Sequence, residues 1–193
     1  SSIGMTHHFL DAAERVIVEI NAAQPAVLRT LHDIHVPAAP PDTQPIPLTS
    51  VSQRIGAQSL PVDRGKIVGV VETNRPERIG SEPRATDTTN RIAGHLFSFL
   101  DGEYRDTGGI LPPIQLGFGS TADSIAAAFA RSAFHDLQFF CGGVTEPVLE
   151  LLATGKASAI TTGGIGMSER VEQILATVPD IRDRLVIRNG DIT

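Results

Sequence analysis

The sequence predicts an α/β fold: an open, largely parallel sheet with helices on both faces, preceded by the tail of a related α/β domain. Two observations carry that expectation. Residues 110–164 contain three apolar runs, Ile114 to Leu116, Leu137 to Phe140 and Ala157 to Thr161; each is followed by glycine, and the first two then by a helix-forming segment. Strand, tight turn and helix in repetition specify parallel strands joined by helical crossovers. Further upstream, a helical patch from Asp11 to Arg15 leads into the β-branched run Val16 to Ile20, and prolines 25, 37, 40, 41, 45 and 47 follow. That order reads as the close of one domain and a connector to the next. The boundary is expected near residue 48, with 1–47 as domain tail and linker and 48–193 as a second domain. Residue 1 is not methionine and is not expected to be the native start; the chain ends on Asn189-Gly190-Asp191-Ile192-Thr193 without a stop signal, so the second domain is expected to be incomplete at its C-terminus.

The remaining elements follow in order. Residues 66–72, KIVGVVE, read as a buried strand, with Gly69 suggesting close approach by a neighbouring backbone or ligand. Asn74 to Pro83 is a polar loop. Asp87 to Tyr104 carries Ile92, Leu96, Phe99 and Leu100 at helical spacing and predicts an amphipathic helix with its Phe pair in the core. Gly117 and Gly119 bracket Phe118; Ser120, Thr121 or Asp123 can cap a helix that starts near Ala122 and includes Ser124 to Arg131. Val148 to Ala153 forms the core of the next helix, with Pro147 in its first turn and Gly155 ending it. Thr162 to Gly166 makes another turn, Glu169 to Thr177 a last amphipathic helix and Leu185 to Ile187 a last strand.

Composition excludes several classes. The chain has 193 residues, 41% of them hydrophobic, enough for one sizeable core or for one domain and part of another. Net charge is -6 and the cations are scattered, so no basic stripe can follow a nucleic-acid backbone. No run approaches the roughly 20 apolar residues of a membrane helix, and the start lacks the regions of a secretory signal. Cys141 is the single cysteine, which excludes an internal disulfide and points to the cytoplasm.

In a parallel sheet ligands bind at the carboxyl ends of the strands, and the glycines stand there. Amides around Gly117 and Gly119, with the positive end of a helix dipole, favour a phosphate, a carboxylate or a thioester oxyanion; the competing reading is a sharp turn with no ligand. His32 and His35 are two imidazoles three apart, but no further ligand stands at metal-binding spacing, so both read as structural and no metal is expected. His7-His8 reads as a solvated pair, His135 as a loop residue and His95 as a helix-surface or buried, bonded one.

The segments RVIVEIN (15–21), LHDIHV (31–36), RIG (54–56), GKIVGVVETN (65–74), RIAGHLFSFL (91–100), LPPIQLGFG (111–119), VLELLATGK (148–156) and RLVIRNGDI (184–192) together resemble the acetyl-CoA hydrolase and CoA-transferase family. The resemblance covers nearly the whole chain in order. It implies two related α/β domains, a coenzyme A thioester as substrate with no permanently bound cofactor, a carboxylate acceptor and a homodimer. In that family a glutamate attacks the thioester and is converted to a glutamyl-CoA intermediate, which is covalent catalysis. Gln115, Gly117, Phe118 and Gly119, with Gly143, Gly163 and Gly164, match the parts that hold the acyl-CoA and its oxyanion. The glutamate's position is Gly142, which has no side chain to attack. The family's later glycine-rich loop and asparagine-containing turn are expected beyond Thr193.

Glu146 is the nearest carboxylate that can replace the lost one, with Glu150 a helical turn further on; the competing role for Glu146 is to complement the helix dipole. Cys141 is the other nucleophile in reach, against the reading that it packs at a strand end. The sequence therefore points to an acyl-CoA:carboxylate CoA-transferase or acyl-CoA hydrolase. The alternative is an inactive, CoA-binding relative with a regulatory or assembly role.

Overall fold

The repeated strand, turn and helix pattern builds a five-stranded parallel sheet in the computed structural model, which describes residues 3–77 and 85–193. Along the chain the elements are α1 (Thr6–Ala12), β1 (Val16–Asn21), β2 (His32–Asp33), β3 (Ile67–Thr73), α2 (Asp87–Glu103), β4 (Ile114–Leu116) and α3 (Ser120–Arg131). They continue with β5 (Leu137–Cys141), α4 (Glu146–Ala153), β6 (Ala157–Thr162), α5 (Glu169–Thr177), α6 (Ile181–Arg184) and β7 (Leu185–Arg188). The main sheet runs β2-β7-β6-β5-β4, every pair parallel, and β1 pairs with β3 in a separate two-stranded sheet. The boundary drawn near residue 48 falls between β2 and β3, yet strands from either side of it share both sheets.

Alternation along each strand decides what the sheet covers. Leu116, Leu137, Phe139, Cys141, Ile160, Leu185 and Ile187 share one core with Phe129, Leu149, Leu152 and Ile174 of the helices. Phe97 of α2 extends it, its ring 4.7 Å from that of Phe129 and edge-on. At β6 and β7 the residues pointing the other way, Thr161 and Arg188, are fully buried under an irregular strap that contains Val51 and Gln53.

Several expectations change. The first helix spans Thr6–Ala12 rather than residues 11–15, because the chain is already extended at Ala13 on its way into the β1 ladder. His7 on that helix is buried at 6% exposure, so His7-His8 is not a solvated pair. Within the proline-rich stretch a 3-10 turn, Ala26–Thr30, delivers β2 to the sheet edge. Strand β3 is not buried: Val68, Val70 and Val71 are exposed, as are Ile17 and Ile20 on β1. Among the described residues nothing lies within 4 Å of a Cβ built on Gly69, so no backbone packs against the face its side chain would occupy. On α2 the two phenylalanines part, Phe97 inward and Phe99 60% exposed, and Ile92 is exposed too, because a stripe 100° wide cannot take both i and i+2. His95 is exposed on the same helix, and His135 is an exposed loop residue bonded to Asp136 and to the Gly108 carbonyl. The loop expected over 74–83 lies outside the described residues from 78 on.

Candidate active site

The sheet register aligns the three glycine turns. Leu116 pairs with Cys141 and Cys141 with Thr162, so Gly117, Gly142 and Gly163 are the next residues on three neighbouring strands, about 4.8 Å from one to the next. The Gly163 amide donates to the Cys141 carbonyl at 3.1 Å and carries the ladder one step further. Beyond it, Val144 N–H donates to the Gly164 carbonyl at 3.0 Å and Gly166 N–H to the Val144 carbonyl at 2.8 Å, which locks the second turn to the third. Gly164 N–H is turned to the Thr162 hydroxyl at 3.2 Å.

These glycines have unequal reasons to be glycine. A Cβ on Gly163 would stand 2.7 Å from the Gly142 carbonyl oxygen and 2.8 Å from Thr193 Oγ1, so a side chain is excluded there. On Gly143 it would meet the Phe118 ring at 3.0 Å: the phenyl group lies across the second turn. Gly119 has φ 121°, a region open to glycine, and is the N-cap of α3. Ser120, Thr121 and Asp123 do not cap that helix, which begins at Ser120 with no side-chain cap bond. A Cβ on Gly142, by contrast, meets nothing within 4 Å among the described residues. Gln115, Gly117, Phe118 and Gly142 are all exposed, with Phe118 at 53%, so the edge is open to a ligand.

Glu146 opens α4, and its Oε2 accepts from the Ser168 hydroxyl at 2.9 Å. Ser168 also caps α5 by accepting from Val171 N–H at 3.2 Å. Glu150 shares the face of Glu146, as expected from their spacing, and takes a bidentate pair from Arg170 of α5, Nε to Oε1 at 2.5 Å and Nη2 to Oε2 at 3.1 Å. Both carboxylates thus join α4 to α5. Cys141 is 2% exposed and burial pushes its thiol up to about 12, so at neutral pH it is a protonated packing residue, not a nucleophile.

Asp123 has a larger place than sequence reasoning gave it. It is buried in the first turn of α3 and accepts from the Thr145 hydroxyl, the N-cap residue of α4, at 2.5 Å. Burial raises its carboxyl above the ordinary carboxylate range, against the lowering effect of that hydrogen bond. The bond ties the turn after β4 to the turn after β5. The signal available was an acid among Ala122, Ala126 and Phe129, on the inner face of an alanine-rich helix.

Among the described residues, His32 and His35 belong to no cluster of three or more potential metal ligands. Asp33 between them accepts from the amides of Ile55 and Gly56 and pairs with Arg188, and His35 N–H donates to Asn189 Oδ1. Burial holds His32 below its ordinary pKa. No helix of the described residues is long and apolar enough to cross a membrane.

No family model matches the chain. It is 31% identical to the acetyl-CoA hydrolase of Eremothecium gossypii over 97% of its own length and 36% of that protein's. It is also 31% identical to the succinyl-CoA:acetate CoA-transferase of Clostridium kluyveri, over 100% of its own length and 36% of the relative's. The chain therefore spans about a third of these relatives. Among solved structures it resembles a 4-hydroxybutyrate CoA-transferase from Porphyromonas gingivalis, with TM-score 0.57 and 17% identity over 97% of this chain and 40% of that one, a likeness of fold. A parallel sheet with glycine turns at its carboxyl edge, matched in sequence from end to end of the chain, makes this protein a member of the acetyl-CoA hydrolase and CoA-transferase family.

Proposed function

We propose that the protein acts on the thioester of a small acyl-CoA, passing coenzyme A to a carboxylate or releasing it to water. The observation that carries this reading is the level line of Gly117, Gly142 and Gly163 on adjacent strands, open at Phe118. The names of the relatives, a hydrolase and a transferase of acetyl-CoA chemistry, support the same substrate class. The thioester carbonyl lies over the turns, where the amides of Gly117 and Gly119 stabilise the tetrahedral oxyanion by roughly 3 kcal/mol per donor. Gln115, Phe118, Gly143 and the tight turn at Gly163 and Gly164 shape the acyl site. Glu146 is the carboxylate that substitutes for the family glutamate, either attacking the carbonyl or taking a proton from a water that does, and it must leave Ser168 to do so. If Glu146 attacks, the carbon–sulfur bond breaks, coenzyme A leaves as the thiolate and an acyl-glutamyl anhydride forms; the thiolate then attacks the glutamyl carbonyl, the acyl group leaves as its carboxylate, and the resulting glutamyl-CoA thioester passes coenzyme A to the acceptor carboxylate. If a water attacks, the proton that Glu146 takes from it goes to the departing thiolate. The working form is a cytoplasmic homodimer.

A second reading has its own observation. Gly142 has no side chain and Glu146 is engaged by Ser168, which favours a protein that binds acyl-CoA without turning it over. Mixing full-length protein with acetyl-CoA, with and without succinate, and following free CoA and succinyl-CoA separates the two. Conversion that falls at least about a hundredfold in Glu146→Gln supports the first reading, in line with the contribution of a general base or nucleophile. Saturable binding with no conversion establishes the second.

A further inference from the structure

Outside the glycine turns, the two ends of the chain bring together three groups of metal-binding chemistry. His7 and His8 lie on α1 and Asp191 follows β7, and one ligand atom from each falls within 4.8 Å of the other two. His8 Nε2 is 3.2 Å from Asp191 Oδ1, and His7 Nε2 is 2.5 Å from Asp191 Oδ2. The His7 Nε2 contact is an ion-pair contact out of line for a hydrogen bond, and among the described residues neither ring nitrogen of this buried imidazole has a well-aligned hydrogen-bond partner. A buried polar group left so costs about 1–3 kcal/mol, which a ligated ion at Nε2 offsets.

We propose that His7, His8 and Asp191 bind a divalent transition-metal ion, zinc by the chemistry of the ligands, and that it clamps α1 to the end of β7. Two imidazoles and a carboxylate suit zinc, with bonds of about 2.0–2.2 Å and a fourth position for water. At tetrahedral angles such ligands stand roughly 3.4 Å apart, so His7 and Asp191 must open by less than about 1 Å, while His8 and Asp191 already stand near that separation. The carboxylate is already oriented from behind: Asn189 Nδ2 donates to Asp191 Oδ2 at 2.8 Å, the outer contact that metal ligands carry. Backbone pairing holds the two sides in register, with Gly190 N–H donating to the Gly4 carbonyl at 2.9 Å. His8, about half exposed, gives the ion a path from solvent.

The test is titration of chelator-treated full-length protein with zinc alone by calorimetry, and with cobalt for its visible absorption. One ion per chain should bind at micromolar concentration or tighter, with a tetrahedral cobalt spectrum and a raised melting temperature. His8→Gln, at an exposed position that leaves the fold intact, and Asp191→Asn should each weaken binding at least about tenfold and abolish the melting shift. Binding only at millimolar zinc, or binding that survives both substitutions, would show that the cluster is an ion pair between imidazoles and a carboxylate and overturn the proposal.

Discussion

Gly142→Glu should fold as the wild type does and should acquire a covalent glutamyl-CoA thioester when mixed with acetyl-CoA. The steric half of this prediction follows from the open space around the position: among the described residues a Cβ there meets no atom within 4 Å, so the change should cost no more than an ordinary surface substitution, about 0.5 kcal/mol. The chemical half follows from register, since Gly142 stands between the turns at Gly117 and Gly163. A carboxylate placed there reaches a thioester carbonyl held over the amides, and borohydride trapping with mass mapping would locate the adduct at residue 142. Gly163→Ala is the control. Its Cβ would lie 2.7 Å from a backbone oxygen of the next turn, and overpacking of that kind costs about 1–3 kcal/mol, to be read from the shift in urea midpoint. If Gly142→Glu destabilises as much as Gly163→Ala, the open-site geometry is wrong.

Asp33→Ala should be the most destabilising single change outside the hydrophobic core, at about 3–5 kcal/mol, a large part of the 5–15 kcal/mol that holds a domain together. Arg188 is fully buried; it donates through Nη1 to Asp33, through Nη2 to the Gln53 carbonyl at 2.5 Å and through Nε to Thr161 Oγ1 at 3.2 Å. Asp33 in turn accepts from Ile55 N–H at 3.0 Å and Gly56 N–H at 2.8 Å. Removing Asp33 strands a guanidinium whose pKa burial already lowers and which the carboxylate holds up. The double change Asp33→Leu with Arg188→Met removes both charges and should cost less than Asp33→Ala alone, because no unpaired ion is left. A loss below about 1 kcal/mol in Asp33→Ala by denaturant titration would mean that water reaches the pair, as it does at surface ion pairs.

What the sequence revealed was mostly local. β-branched and apolar runs ending at Gly117, Gly142 and Gly163 announced β4, β5 and β6, and the period of Glu169–Thr177 gave α5 its observed ends, because Ser168 caps it and Val178 leaves it extended. Contacts between distant residues were not legible. Strand β2 has two residues and is held by an ion pair to a residue 155 positions away, and the buried His7 meets Asp191 from the other end of the chain. Val70 and Val71 have a strand's composition, but whether such a strand is covered depends on what packs over it. At the candidate site, the expectation that Gly142 stands at the family glutamate's position came from the resemblance of the surrounding segments. That Glu146 would be bonded to Ser168, and that Asp123 would cross to Thr145, required coordinates, since residues 22 apart in sequence meet only after the sheet has formed.

Hydrogen exchange of the full-length wild-type protein, with and without acetyl-CoA, reports whether the thioester seats on the glycine turns. On binding, exchange of the amides in 117–119 and 142–144 should slow, with the solvent side of α2 unchanged. Acetyl-CoA that binds without protecting either turn, or that protects only residues far from them, would contradict that seating.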